Sequence, residues 1–125
     1  MARILVVDDD PEIRCWLEEV LALSGHETVF ASNGRQGLRA LGQKAPDLIL
    51  LDMLMPDLDG VEVLQQLHGP SAPKIIAMSG APGQWNVLDV AKKMGAISIL
   101  AKPFTGSELI DAVDAVLVNQ KDAKN

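Results

Sequence analysis

Apolar residues follow two alternating rhythms along the whole chain. Five short runs, Arg3–Val7, Glu27–Ala31, Asp47–Leu51, Lys74–Met78 and Ala96–Leu100, are apolar almost without interruption. Such continuity predicts strands covered on both faces, as in a parallel sheet. The segments between them have a helical period. Ile13, Trp16, Leu17, Val20 and Leu21 line one helix face, and Gly25 stands just beyond as a stop. Val61, Val63, Leu64 and Leu67 predict a helix ahead of Gly69-Pro70. Leu109, Ile110, Val113, Val116 and Leu117 predict the last, with Thr105 placed to cap it and Glu108 three residues on. Gly34–Gln43 and Gln84–Met94 complete the set, the former weakened by three glycines.

Five β-α units in sequence imply right-handed crossovers and helices on both faces of one sheet, a doubly wound α/β sandwich of three layers. The chain has no internal repeat, linker or low-complexity segment. Residues 1–119 read as the domain, and 120–125 as a polar tail expected to fray.

Composition narrows the picture. With 125 residues, 48% of them hydrophobic, the chain is one domain able to fill a core without disulfides or a metal staple. Cys15 is the only cysteine, so no internal disulfide forms, in keeping with a reducing compartment. The net charge of −6 argues against direct nucleic-acid contact, which calls for a basic face. Met1 leads straight into strand-like sequence and no apolar run is long enough to span a bilayer. The expectation is therefore no signal peptide, no membrane contact and a cytoplasmic location.

Open α/β sheets bind ligands beyond the carboxyl ends of their strands. The polar residues missing from the strands collect there. Asp8, Asp9 and Asp10 follow the first strand in "VVDDDPE"; Asp52 closes "DLILLD"; Ser79 closes "KIIAMS"; Lys102 follows the fifth strand in "ILAKPF". Carboxylates crowded into a partly desolvated rim repel one another. A divalent cation removes the conflict, and Mg²⁺ is the hard, oxygen-seeking choice, held by one or two carboxylates plus phosphate oxygens. A carboxylate can also attack phosphorus to give an aspartyl phosphate, a reaction that needs positioning and charge neutralisation more than acid-base chemistry. Asp52 is the best acceptor because it stands alone after an apolar strand, whereas the clustered aspartates suit the ion. Lys102 and Ser79 supply a cation and a hydroxyl donor. Asp10, ahead of Pro11, reads as the start of a helix. Asp57, Asp59 and Gly60 read as turn chemistry. Cys15 is assigned no reactivity, and His26 and His68 read as surface residues.

With "ILVVDDDPEIR", "PDLILLDMLMPDLDG", "IIAMSG" and "LAKPF" in this order, the chain resembles the receiver domain of two-component response regulators over essentially its entire length. The resemblance implies a flavodoxin-like (βα)5 fold with sheet order 2-1-3-4-5. It implies Asp52 as phospho-acceptor, Asp9 as direct Mg²⁺ ligand, Asp8 acting mainly through water, and Leu54 completing the metal shell with its backbone carbonyl. Ser79 then contacts the phosphoryl group, Lys102 is the cationic partner, and Lys102-Pro103 is cis. A histidine kinase or histidine phosphotransfer protein supplies the phosphoryl group, and the receiver catalyses its own transfer and slow hydrolysis. A stand-alone receiver delivers its output to a downstream protein, through the face of helix four, strand five and helix five.

One position departs from the family pattern. Ile99, three residues before Lys102, stands where Tyr or Phe is usual, so a ring-flip readout is excluded. Trp85, in "SGAPGQW", reads either as loop packing or as a substitute switch. Leu54 and Ala81 offer no side chain to orient an attacking water, which implies a long-lived phosphoryl group. Two other functions compete. Asp8 and Asp10 form an Asp-x-Asp after a strand, as in haloacid-dehalogenase-type phosphatases, with Ser79 and Lys102 as later partners. That reading lacks an acidic pair after strand four and leaves Asp52 unexplained. The other is a phosphate-independent scaffold with a vestigial pocket.

Overall fold

A computed structural model of the chain describes residues 2–53, 60–67, 73–80 and 85–124, with backbone alone for 60, 61, 85–88 and 119–124. The strands are β1 (Arg3–Val7), β2 (Glu27–Ala31), β3 (Leu48–Asp52), β4 (Lys74–Ser79) and β5 (Ser98–Ala101). The helices are α1 (Pro11–Leu23), α2 (Gly34–Gln43), α3 (Gly60–Gln66), α4 (Trp85–Lys93) and α5 (Gly106–Lys124). All strand pairs are parallel, in the order β2-β1-β3-β4-β5. Fold class and strand order match the sequence expectation.

The two-residue period of a strand sorts the core into two layers. Leu5, Val7, Ile49, Leu51, Ile75 and Ala77 face one side, packed with Val63 and Leu64 of α3, Ala91 of α4, and Leu38 and Leu41 of α2. Their alternates Ile4, Val6, Leu48, Leu50, Ile76 and Met78 face the other, against Leu17 and Leu21 of α1 and Leu109, Val113 and Val116 of α5. Hence the runs had to be apolar at every position. Trp16 of α1 meets Phe104 at a 5.7 Å centroid distance and a 49° tilt, joining α1 to the segment that leads into α5.

The helix ends explain most of the boundaries. Asp10 accepts from the Glu12 backbone N–H, with Pro11 at the first helical position. At the far end of α1, Gly25 has φ +84°, its N–H donates to Ala22 and that of His26 to Leu21. This paired closure is the Schellman arrangement. α4 closes identically: Gly95 has φ +119°, its N–H donates to Lys92 and that of Ala96 to Ala91. The second closure corrects the β5 boundary. Ala96 spends its N–H on the helix end, so the strand starts at Ser98 rather than Ala96. β3 shifts by one residue as well. The Asp47 carboxylate accepts the Arg3 N–H at 2.8 Å, bracketing the sheet edge with a side chain, and the strand runs on to Asp52. The backbone of the segment expected as a tail continues α5 to Lys124, since no Gly or Pro follows Gly106 to stop it. Thr105 and Glu108 make the anticipated box, each side chain accepting from the other's N–H at 3.0 Å. Among the described residues, no helix is long and apolar enough to cross a membrane.

Candidate functional site: an acidic rim with one lysine

Strand register brings the site together. Val7 pairs with Leu51, Asp52 with Met78, and Ser79 with Ala101. Asp8, Asp52, Ser79 and Lys102 therefore leave adjacent strands at nearly one level. Each strand end is held by one further ladder bond: the N–H of Asp8 donates to Ala31 at 3.1 Å, Met53 to Met78 at 2.9 Å, and Lys102 to Ser79 at 2.8 Å.

The three consecutive aspartates divide the work. Asp8 is fully buried, and its Oδ1 accepts from the Asp10 N–H at 2.9 Å, an Asx turn that bends the chain out of β1. Its Oδ2 takes the Lys102 ammonium at 2.8 Å. Asp10 caps α1. Asp9 is exposed between them, and one carboxylate oxygen each from Asp8, Asp9 and Asp52 lie within 4.8 Å of one another. Lys102 Nζ is also 3.6 Å from Asp52 Oδ2, and Asp52 and Ser79 are both buried. So the structure brings Asp8, Asp9, Asp52, Ser79 and Lys102 to one rim.

Lys102 reports the balance of charge there. Burial alone pushes its ammonium toward the neutral form. The hydrogen bond to Asp8 and the charges of Asp52 and Asp8 outweigh this, and its pKa rises above the ordinary lysine value.

The donor set fits a hard divalent cation. Three carboxylates share a small volume with the Lys102 ammonium, and every candidate ligand atom is an oxygen. Both Asp8 oxygens already have partners and Asp9 is exposed, so an ion would meet Asp9 more directly than Asp8. Leu54, whose carbonyl was expected to complete the shell, lies outside the described residues, as do Ala81, Asp57, Asp59 and His68.

Lys102-Pro103 is cis, as the resemblance implied. Ile99 is half-buried and packs into the α2–α3–α4 layer. For Trp85 the backbone opens α4 and the side chain is not described. His26 departs from its reading as a surface residue: it is half-buried, and its Nδ1 accepts the Ala2 N–H at 3.1 Å. The motifs also missed Gly80, which lies against the Lys102 stem; the only signal was a residue without a side chain directly after Ser79.

Comparison with known proteins accounts for this geometry. Residues 4–114 match the family model described as the response regulator receiver domain. The chain is 37% identical to sporulation initiation phosphotransferase F of Bacillus subtilis over 115 residues, covering 92% of this chain and 93% of that one. A response regulator receiver domain protein from Clostridium thermocellum superposes with a TM-score of 0.89 at 30% identity, covering 97% and 98% of the two chains. NtrX from Brucella abortus superposes with a TM-score of 0.90 at 31% identity, and the chain spans only 28% of its length. The chain belongs to the response regulator receiver domain family, and it is a phosphorylation-dependent switch of two-component signalling.

Proposed function

We propose that Asp52 is the residue phosphorylated, and that the chain carries out the transfer itself. The observation that carries this is the convergence of Asp8, Asp9 and Asp52 on a single ammonium, Lys102, 2.8 Å from Asp8 and 3.6 Å from Asp52. An Asp52 carboxylate oxygen forms the new O–P bond as the donor's P–N bond, in a phosphohistidine, or P–O bond, in acetyl phosphate, breaks. The leaving group departs with that electron pair. Lys102 is placed to hold a phosphoryl oxygen once charge moves from donor to acceptor, and Ser79 stands on the adjacent strand end to donate its hydroxyl. Asp9 and Asp52, with Asp8 through water and the Leu54 carbonyl, would hold Mg²⁺. When bound, that ion neutralises the acidic rim and shares the phosphoryl charge. Slow hydrolysis by water at the same phosphorus returns Asp52 to its carboxylate.

A cytoplasmic histidine kinase or histidine phosphotransfer protein is the donor this chemistry calls for. Output runs to a protein target through α4, β5 and α5. β5 is one of the two sheet edges, and its flanks carry exposed apolar side chains: Val90 on α4, Ile97 before β5 and Val118 on α5. The phosphatase reading gains nothing from the geometry. Asp8, its required nucleophile, is fully buried with both oxygens engaged.

Acetyl phosphate with and without Mg²⁺, followed by mass mapping, tests the assignment. Asp52 should carry the label only with Mg²⁺, and Asp52→Asn should abolish it. A label on Asp8, or one indifferent to Mg²⁺, would overturn it.

A further inference from the structure

Lys102 reaches the acidic rim along an unusual track. A β-carbon built on Gly80 would lie 2.7 Å from Lys102 Cβ, 3.2 Å from Cδ and 3.4 Å from Cγ. Three consecutive methylenes thus lie against the bare α-carbon of Gly80. The closest atom is the decisive one. Rotamer changes swing the far end of a lysine but leave Cβ where the backbone puts it. That backbone is pinned by the 2.8 Å bond from the Lys102 N–H to Ser79, next to the Ser79–Ala101 pair that ends the β4–β5 ladder.

We infer that Gly80 is a positioning residue for Lys102: its missing side chain is the space that lets the lysine stem cross β4 and set its ammonium on Asp8 and Asp52. The inference rests on the proposed role of Lys102 beside a phosphorylated Asp52. Gly80 is itself exposed and takes no part in either core layer, so the constraint concerns the site and not the fold. Any side chain at position 80 must push the Cα of Lys102 away or strip its bond to Ser79. Either displaces Nζ, and misplacement by about 1 Å can cost roughly a hundredfold in rate.

The experiment compares wild type with Gly80→Ala, and with Gly80→Ser as a second variant bearing a β-carbon. Crystal structures of the full chain locate Lys102 Nζ. Calorimetry with Mg²⁺ alone gives ion affinity, and the concentration dependence of acetyl phosphate labelling separates half-saturation from maximal rate. The expected result is Nζ withdrawn from Asp8, a melting temperature lowered no further than in Lys102→Ala, and Mg²⁺ affinity within about threefold. The maximal rate should fall tenfold to a hundredfold with half-saturation held. In a Lys102→Ala background, Gly80→Ala should slow labelling no further, because the group it places is gone. Nζ remaining at hydrogen-bond distance from Asp8 in both variants would overturn the inference, as would losses that multiply in the double variant. Wild type that never labels at Asp52 overturns the proposed function instead, and the Nζ position still decides what Gly80 does.

Discussion

Lys102 and Asp8, 94 residues apart, meet at 2.8 Å, with the aspartate wholly buried and the lysine side chain 20% exposed. The pair ties the segment after β5 to the segment after β1 across the acidic rim. It also makes the lysine the only described cation that holds Asp8 and Asp52 together.

Removing that cation should therefore cost stability as well as activity. Lys102→Ala leaves a buried carboxylate without its ion pair and a second one nearby. Breaking such a pair typically costs about 3–5 kcal/mol. The partial exposure of Lys102 discounts this to about 2 kcal/mol. Urea unfolding at neutral pH should show the loss, and added Mg²⁺ should restore part of it by binding only the folded state. Asp52→Asn should do the reverse and raise stability without metal, because it removes a repelling charge.

The same pair sets a pH dependence at the alkaline end. The Lys102 pKa is raised by Asp8 and Asp52 against the opposing effect of burial. A raised folded-state value means that the native protein keeps a proton which the unfolded chain has begun to lose. The contribution is complete below the ordinary lysine range and disappears as pH climbs through the elevated one. Unfolding free energy should decline across that interval in wild type and decline less in Lys102→Ala. Parallel curves would show that the ion pair contributes nothing.

Local signals in the sequence were enough for what local chemistry decides. Alternating contacts such as Val6 on one layer and Val7 on the other follow from the strand period alone. The Thr105–Glu108 box and the Asp10 cap are short-range bonds, visible as residue types at fixed offsets. What escaped depends on partners distant in sequence or on a competing local bond. Ala96 is as apolar as a strand residue, and only the closure of α4 claims its N–H. His26 looked idle because its partner, Ala2, is 24 residues away in the chain. The acidic rim itself was legible, because strand ends in a doubly wound sheet must converge. Which carboxylate takes the lysine was not, since that choice rests on the Asx turn at Asp8.

Two glycines should respond oppositely to alanine. Gly95, at φ +119° in the closure of α4, sits where L side chains are strained. Gly95→Ala should cost about 1–3 kcal/mol by urea unfolding. Gly42 lies in the last turn of α2 with nothing within 4 Å of a built β-carbon. Gly42→Ala should stabilise by about 0.5–1 kcal/mol, since alanine loses less backbone freedom in a helix. A loss at Gly42 or indifference at Gly95 would contradict these backbone assignments.

The sharpest division is between Asp8 and Asp9, neighbours with opposite surroundings. Asp9 is exposed and contributes to the oxygen cluster, whereas Asp8 is buried and bound on both oxygens. In the proposed site Asp9→Asn removes a charge that would face the ion directly, so Mg²⁺ affinity measured by calorimetry should fall at least tenfold, about 1.4 kcal/mol, with folding stability nearly unchanged. Asp8→Asn keeps an oxygen able to accept the Asp10 N–H but frees Lys102, which should then turn to Asp52, the proposed acceptor. Its Mg²⁺ affinity should fall less than that of Asp9→Asn, while labelling by acetyl phosphate falls more steeply than the lost affinity explains. Equal losses of affinity in the two variants would mean that both aspartates ligate directly, and that the Lys102–Asp8 pair opens whenever the ion enters.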